Sequence, residues 1–224
     1  MGADLGKGKG IRRNITSQEE GVYPPEIDWH QRFRQQATWT KPLRDYLFNQ
    51  ASLASARRVL EVGCGTGVVL SELEQNYVGS LFGLDLDLGL LSKAVHHTSH
   101  TYLLQSDGHT IPFPKDAFDI TFCHFLLLWV KEPIQVVSEM ARITRPGGHI
   151  MALAEPDYGG RIDYPVELEQ VGLWQRNSLR LQGAEPYLGR QLADIFTKAG
   201  VKDVQTGVLG GEWKGDSTED WISE

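Results

Sequence analysis

The run Val59-Leu60-Glu61-Val62-Gly63-Cys64-Gly65-Thr66-Gly67 limits what this chain can fold into more than any other stretch. Val59, Leu60 and Val62 read as the end of a buried strand, and Val68-Val69-Leu70-Ser71-Glu72-Leu73 reads as the first turns of a helix. Between them, glycine stands at every second position. A strand that breaks into glycines and restarts as a helix makes a tight βα turn. Glycine has no Cβ, so the backbone takes positive φ there and a ligand can come close. The turn is suited to a nucleoside-bearing cofactor whose pocket the downstream chain completes.

The rest of the chain supplies strands and helices in alternation. Ahead of the turn, residues 1–22 are a glycine-rich polar stretch with Lys7, Lys9, Arg12 and Arg13, expected as a flexible tail. Tyr23-Pro24-Pro25 is an extended lead-in. His30 to Thr40 and Pro42 to Gln50 are expected as two short helices, with Thr40 as a cap and Pro42 in the first turn. They carry Phe33, Arg34, Trp39, Arg44 and Tyr46, and form either packing for the sheet or a lid over residues 59–67. Strands are expected at 58–62, 80–85, 102–105, 117–124 and 149–154, with a sixth from Val201 to Leu209. Helices follow from about 68 to 75, from Leu88 to His97 behind a cap at Asp87, and from Pro133, with Ile134, Val137, Met140 and Ile143 on one face. Arg145-Pro146-Gly147-Gly148 is expected to stop that last helix. Strand–helix alternation of this kind builds a parallel sheet with right-handed crossovers. Residues 160–186 break the pattern with a helix from Val166 to Leu181, expected as a cap on a single domain spanning 23–224. A further helix is expected from Gln191 to Lys198, and a capped helix start at 216–222.

Composition narrows the function classes. A net charge of −7 argues against a polyanionic partner, since nucleic-acid binders present a basic face. The two cysteines, Cys64 and Cys123, form no CxxC pair, which argues against a disulfide framework or a metal site and suits a reducing cytoplasm. The longest apolar run, Phe125 to Val130, is far too short to span a membrane, and the first ten residues hold no hydrophobic signal.

Open parallel sheets bind ligands at the carboxyl ends of their strands. Gly63 and Gly65 allow close backbone approach there, and Asp85 ends the second strand, where a carboxylate can accept from both ribose hydroxyls. Asp107 and Gly108 end the third, and Asp107 could accept from an exocyclic adenine amine. His124 closes the fourth. A dinucleotide site wants G-x-G-x-x-G, whereas this turn reads G-x-G-x-G with Val68 in the next position. Glu61, two residues before Gly63, sits badly with a pyrophosphate and well with an ammonium or sulfonium. That favours S-adenosylmethionine.

Taken together, Glu61-x-Gly63-x-Gly65-x-Gly67, Asp85, Ser106-Asp107-Gly108 followed by Ile111-Pro112-Phe113, Phe118-Asp119 and Arg145-Pro146-Gly147-Gly148 resemble a class I S-adenosylmethionine-dependent methyltransferase of the domain 11/25 type, over about residues 43–154. The resemblance implies a Rossmann-like, doubly wound, mainly parallel sheet of seven strands with an antiparallel last strand, for which no candidate follows Leu209. It implies Glu61 and the glycine turn, Cys64 included, at the methionine end of the cofactor, Asp85 and Leu86 at the ribose, Asp107-Gly108 at the adenine, and His124 in contact with the cofactor. After the fourth strand this chain reads His124-Phe125-Leu126-Leu127 rather than an Asn/Asp-Pro-Pro-aromatic motif, which disfavours exocyclic amine or amide methylation by that device.

The implied reaction is methyl transfer to a small-molecule acceptor by in-line displacement. Methylation of RNA or protein, or cofactor binding without catalysis, are the alternatives. Candidates for a general base or substrate contact are Glu155, Tyr158 and His124, and the cap offers Arg161, Tyr164, Trp174, Gln175 and Arg180.

Overall fold

The computed structural model describes residues 28–208. The expected tail, the Tyr23-Pro24-Pro25 lead-in and the helix start at 216–222 lie outside the described residues. The described chain holds one sheet of five strands, β1 (Arg58–Val62), β2 (Ser80–Asp85), β3 (Thr101–Gln105), β4 (Phe118–His124) and β5 (Thr144–Leu153). All its ladders are parallel, in the order β3-β2-β1-β4-β5. The order reverses between β1 and β4, which puts the ligand crevice of such a sheet at Gly63 and His124.

Both faces of the sheet are covered, so its central strands are apolar without alternation. On one face Val59, Leu81, Ile120, Phe122 and Leu153 pack with Phe48 of α1 (Trp29–Gln50), Val69 and Leu70 of α2 (Val68–Leu73) and Leu91 of α3 (Leu88–His97). On the other, Leu60, Val62, Leu84 and Cys123 pack with Val136, Val137, Met140 and Ile143 of α4 (Pro133–Ile143) and with Ile195 and Phe196 of α6 (Leu192–Lys198). Each fully buried aliphatic or aromatic side chain contributes roughly 1.5–3 kcal/mol. The buried stripe of α4 uses Val136, while Ile134, expected on that face, is 37% exposed.

Local chemistry accounts for the boundaries. Asp87 accepts from the amides of Gly89 and Leu90 and starts α3. Pro133 opens α4, where a missing amide costs nothing. The expected division of 30–50 into two helices does not hold: α1 runs unbroken through Pro42. Thr38 and Thr40 donate back to the carbonyls of Arg34, Gln36 and Ala37, and Arg44 donates to Ala37 O, so the turn that proline would open stays bonded. Thr40 is therefore mid-helix and caps nothing; Asp28 is the cap.

Arg145-Pro146-Gly147-Gly148 lies inside β5 as a bulge, because Phe118 pairs with Thr144 while Ile120 pairs with His149. Asp119 ties the irregularity down, accepting from the amides of Arg57 and Arg58 at 2.8 Å and from Arg145 Nε at 2.6 Å. The bulge also explains why Phe118 and Ile120 enter opposite cores. Residues 160–186, expected as a cap, hold α5 (Glu169–Leu181), closed by Gly183 at φ 88. Residues 201–208, expected as most of a sixth strand, form none. A strand needs a ladder partner, and none of the described strands pairs with them; Val201 and Val204 pack on the core as coil. The antiparallel strand implied by the resemblance is not among the described residues.

Candidate functional site

The glycine turn folds back onto β2. The amides of Gly63 and Cys64 both donate to Leu84 O, at 2.7 and 3.0 Å, and the amide of Gly67 donates to Cys64 O at 2.9 Å. This curl puts Gly63, Gly65 and Gly67 at φ 75, 52 and 74, a region that costs other residues about 1–2 kcal/mol. Asp85 fastens it: Oδ2 accepts from the amide of Gly65 at 2.7 Å, and Oδ1 from the amide of Asp87 at 2.9 Å. Side chains come close against the bare backbone. A Cβ on Gly63 would lie 2.6 Å from Leu126, and one on Gly65 3.2 Å from the ring of Phe33. On Gly108 it would lie 3.2 Å from Val62, so the Ser106-Asp107-Gly108 turn abuts the end of β1.

Glu61 sits inside this arrangement, 3% exposed, and its Oε2 has no hydrogen-bond partner. Buried polar atoms are almost always bonded, so an orphaned carboxylate oxygen calls for a donor. Burial pushes the Glu61 carboxyl well above the usual range; the Arg44 guanidinium opposes this, and the nearby Asp85 and Glu72 carboxylates add to it. Two further carboxylates and one buried cation thus act on Glu61, an acidic balance that favours a further positive charge.

The other expected cofactor residues take these places. Cys64 is buried with its thiol toward the core near Gly83, which leaves its backbone to line the turn. Leu86 is 65% exposed beside Asp85, and its carbonyl accepts from Gln105 Nε2. Asp107 Oδ1 accepts from the amide of His109 at 2.9 Å and meets His109 Nδ1 at 2.6 Å. These bonds hold its carboxyl below the usual range.

The expected base or substrate residues are placed differently. The Nε2 of His124 meets Thr40 Oγ1 at 2.9 Å, on α1. Burial, with Arg44 nearby, pushes its pKa down to about 3, so the imidazole is neutral at physiological pH. Glu155 is buried and bonded to backbone amides. Its Oε1 accepts from the amides of Leu126 and Leu127 at 2.8 and 3.0 Å, and Oε2 from that of Leu128 at 3.3 Å. Burial raises its pKa to about 7. Both oxygens are engaged in holding the loop after β4. Tyr158 packs on the core, and its amide donates to Pro186 O at 2.8 Å, joining the end of β5 to the cap.

Three participants were missed by sequence reasoning. His30 Nδ1 meets Thr66 Oγ1 in the glycine turn at 2.9 Å, and its ring stacks on His97 of α3 at 3.5 Å. Only the contact itself marks them, since these partners lie far apart in sequence. With Phe33 on Gly65, they bring the first turns of α1 directly onto the glycine turn.

Comparison with known proteins agrees with this geometry. Residues 60–152 match the family described as methyltransferase domain. An uncharacterized methyltransferase of Schizosaccharomyces pombe is 28% identical over 182 residues, covering 74% of this chain and 65% of the relative. A demethylmenaquinone methyltransferase of Bacillus licheniformis is 28% identical over 192 residues, covering 77% and 81%. A methyltransferase solved with the Trm112 methyltransferase activator of Haloferax volcanii superposes with TM-score 0.59 at 20% identity, covering 77% of this chain and 73% of that one. With the parallel sheet, its switch point and the glycine turn already described, residues 60–152 match a methyltransferase domain, and the sheet around them has the fold of solved methyltransferases.

Proposed function

We propose that this chain is an S-adenosylmethionine-dependent methyltransferase acting on a small-molecule acceptor. The observation that carries the reading is Glu61 Oε2, a buried carboxylate oxygen without a partner at the foot of a glycine turn. The residues fit the cofactor: Glu61 for its cationic amino-acid end, the backbone of Gly63, Cys64 and Gly65 for close approach, Asp85 and Leu86 for the ribose, and Asp107-Gly108 for the adenine. His124, buried beneath Thr40, would form the floor. When bound, S-adenosylmethionine supplies an electrophilic methyl group on a sulfonium.

What the chain itself adds is placement. Holding two reactants in line is worth up to ~7–11 kcal/mol. His124 is a poor proton acceptor, since protonating it means charging a buried ring beside Arg44. Glu155 is engaged by three amides. Neither is free to serve as a general base, so an acceptor that enters already nucleophilic suits this site best. Residues 30–50 act as a lid, supported by the contacts of His30 and Phe33 with the turn, and 160–186 cap the acceptor side. The Bacillus relative, named for demethylmenaquinone, supports a small acceptor. Among the described residues, no helix is long and apolar enough to cross a membrane. Two free, buried cysteines suit a reducing cytoplasm.

The deciding experiment is calorimetry with S-adenosylhomocysteine, followed by transfer of labelled methyl from S-adenosylmethionine into a metabolite extract. Micromolar binding and a labelled small product are expected. Absence of both binding and thermal protection would overturn the cofactor assignment. Binding without transfer to any pool would leave a binding module instead.

A further inference from the structure

The cap contains a cleft of about 630 Å³, a size that holds small ligands. Its lining begins a few residues beyond the carboxyl end of β5, at Gly159. Three of its lining residues are arginines, Arg161, Arg176 and Arg190. Two are already neutralised. Arg161 pairs with Asp163 at 2.7 Å and also reaches Gln175, and Arg190 pairs with Asp157 at 2.6 Å. Among the described residues, Arg176 has no carboxylate partner; its Nη1 only reaches Tyr158 O at 3.4 Å. The remaining acid of the lining, Glu169, forms no ion pair with it.

Two glycines shape the walls. A Cβ on Gly159 would fall 2.3 Å from the ring of Tyr187 and 2.7 Å from Arg190, and one on the buried Gly172 would fall 2.5 Å from Asp163. Tyr187 is itself held between Arg180 and Arg190, whose guanidinium carbons lie 4.9 and 5.1 Å from its ring. The walls are thus set by close packing, and the uncommitted donors of Arg176 open into them. Ile162 and Leu173 add exposed apolar surface, at 96% and 44%.

We propose that this cleft takes the acidic group of the methyl acceptor, a carboxylate or phosphate on an apolar body, with Arg176 as the residue that receives it. A guanidinium matches either anion with two parallel N–H donors. The assignment rests on the methyltransferase reading for its role as acceptor site, not for the binding itself.

The test titrates the full chain with decanoate, decyl phosphate and decanol, and with S-adenosylhomocysteine in parallel. One or both acids should bind at least tenfold more tightly than the alcohol, which also tells carboxylate from phosphate. Arg176→Gln should remove that preference and leave S-adenosylhomocysteine affinity unchanged. Arg176→Lys should keep part of it, which guards against a glutamine variant that fails to fold. Equal binding of decanol and the acids, or an acid preference that survives Arg176→Gln, would overturn the proposal. Acid binding that persists where S-adenosylhomocysteine fails to bind would support the cleft and count against the cofactor assignment alone.

Discussion

Arg44 of α1 and Glu72 of α2 form an ion pair whose guanidinium is 2% exposed and whose carboxylate is 33% exposed. The same guanidinium donates to Ala37 O and Thr40 Oγ1 and opposes the burial-driven rise of the Glu61 pKa. One side chain therefore joins the proposed lid to the helix that begins at the glycine turn.

Arg44→Ala should cost about 3 kcal/mol, since it leaves Glu72 and Glu61 facing each other without their cation. Arg44→Met, which restores the packed volume, should recover part of the loss. Urea unfolding measures both. A cost below about 1 kcal/mol for the alanine variant would show that the pair is incidental.

Asp85→Ala removes the acceptor of the Gly65 amide. Losing a charge-assisted bond of this kind costs about 1.5–3 kcal/mol. It should also abolish thermal protection by S-adenosylhomocysteine, whereas Asp85→Asn, with one acceptor oxygen left for Gly65, should keep most of the stability but bind weakly. Melting curves with and without the ligand separate the two effects.

The parts of the fold legible in the sequence were those with local causes. The limits Ser80–Asp85 and Leu88–His97 follow from an apolar strand and from Asp87, whose carboxylate bonds amides two and three residues on. Pro42 misleads because what closes its turn is Arg44 and two threonine hydroxyls, a choice made by tertiary packing. Glu155 reads as an acid beside the site, but its partners Leu126, Leu127 and Leu128 lie almost thirty positions earlier, and no spacing rule links them. His30 and Thr66 are hidden for the same reason. Composition and periodicity carry element type and site chemistry; they do not carry which side chains are already taken.

Glu155 gives a pH signature. Its pKa rises from 4.5 to about 7 on folding, so between those values the folded chain holds a proton that the unfolded chain has released. Stability from this group therefore falls as pH rises from 4.5 to 7, by about 3 kcal/mol over the whole window. Glu155→Gln keeps an acceptor for the Leu126 and Leu127 amides and cannot ionise. The stability difference, wild type minus variant, should decline over that window. A difference that stays level across it would mean the carboxylate is solvated.

His124 acts with the opposite sign. Its pKa drops from 6.5 to about 3 on folding. Below pH 6.5 the unfolded chain takes up a proton that the folded chain refuses, so stability is lost as pH falls, by about 2 kcal/mol at pH 5. Between pH 4.5 and 6.5 the two slopes oppose each other, and wild type should be nearly flat with respect to this pair. Each single variant uncovers one slope: Glu155→Gln should leave a chain that weakens on acidification, and His124→Gln one that strengthens. The double variant should be flat again. Urea midpoints for the four proteins at pH 5, 6 and 7 check the set, and parallel slopes in all four would remove both buried groups as the cause.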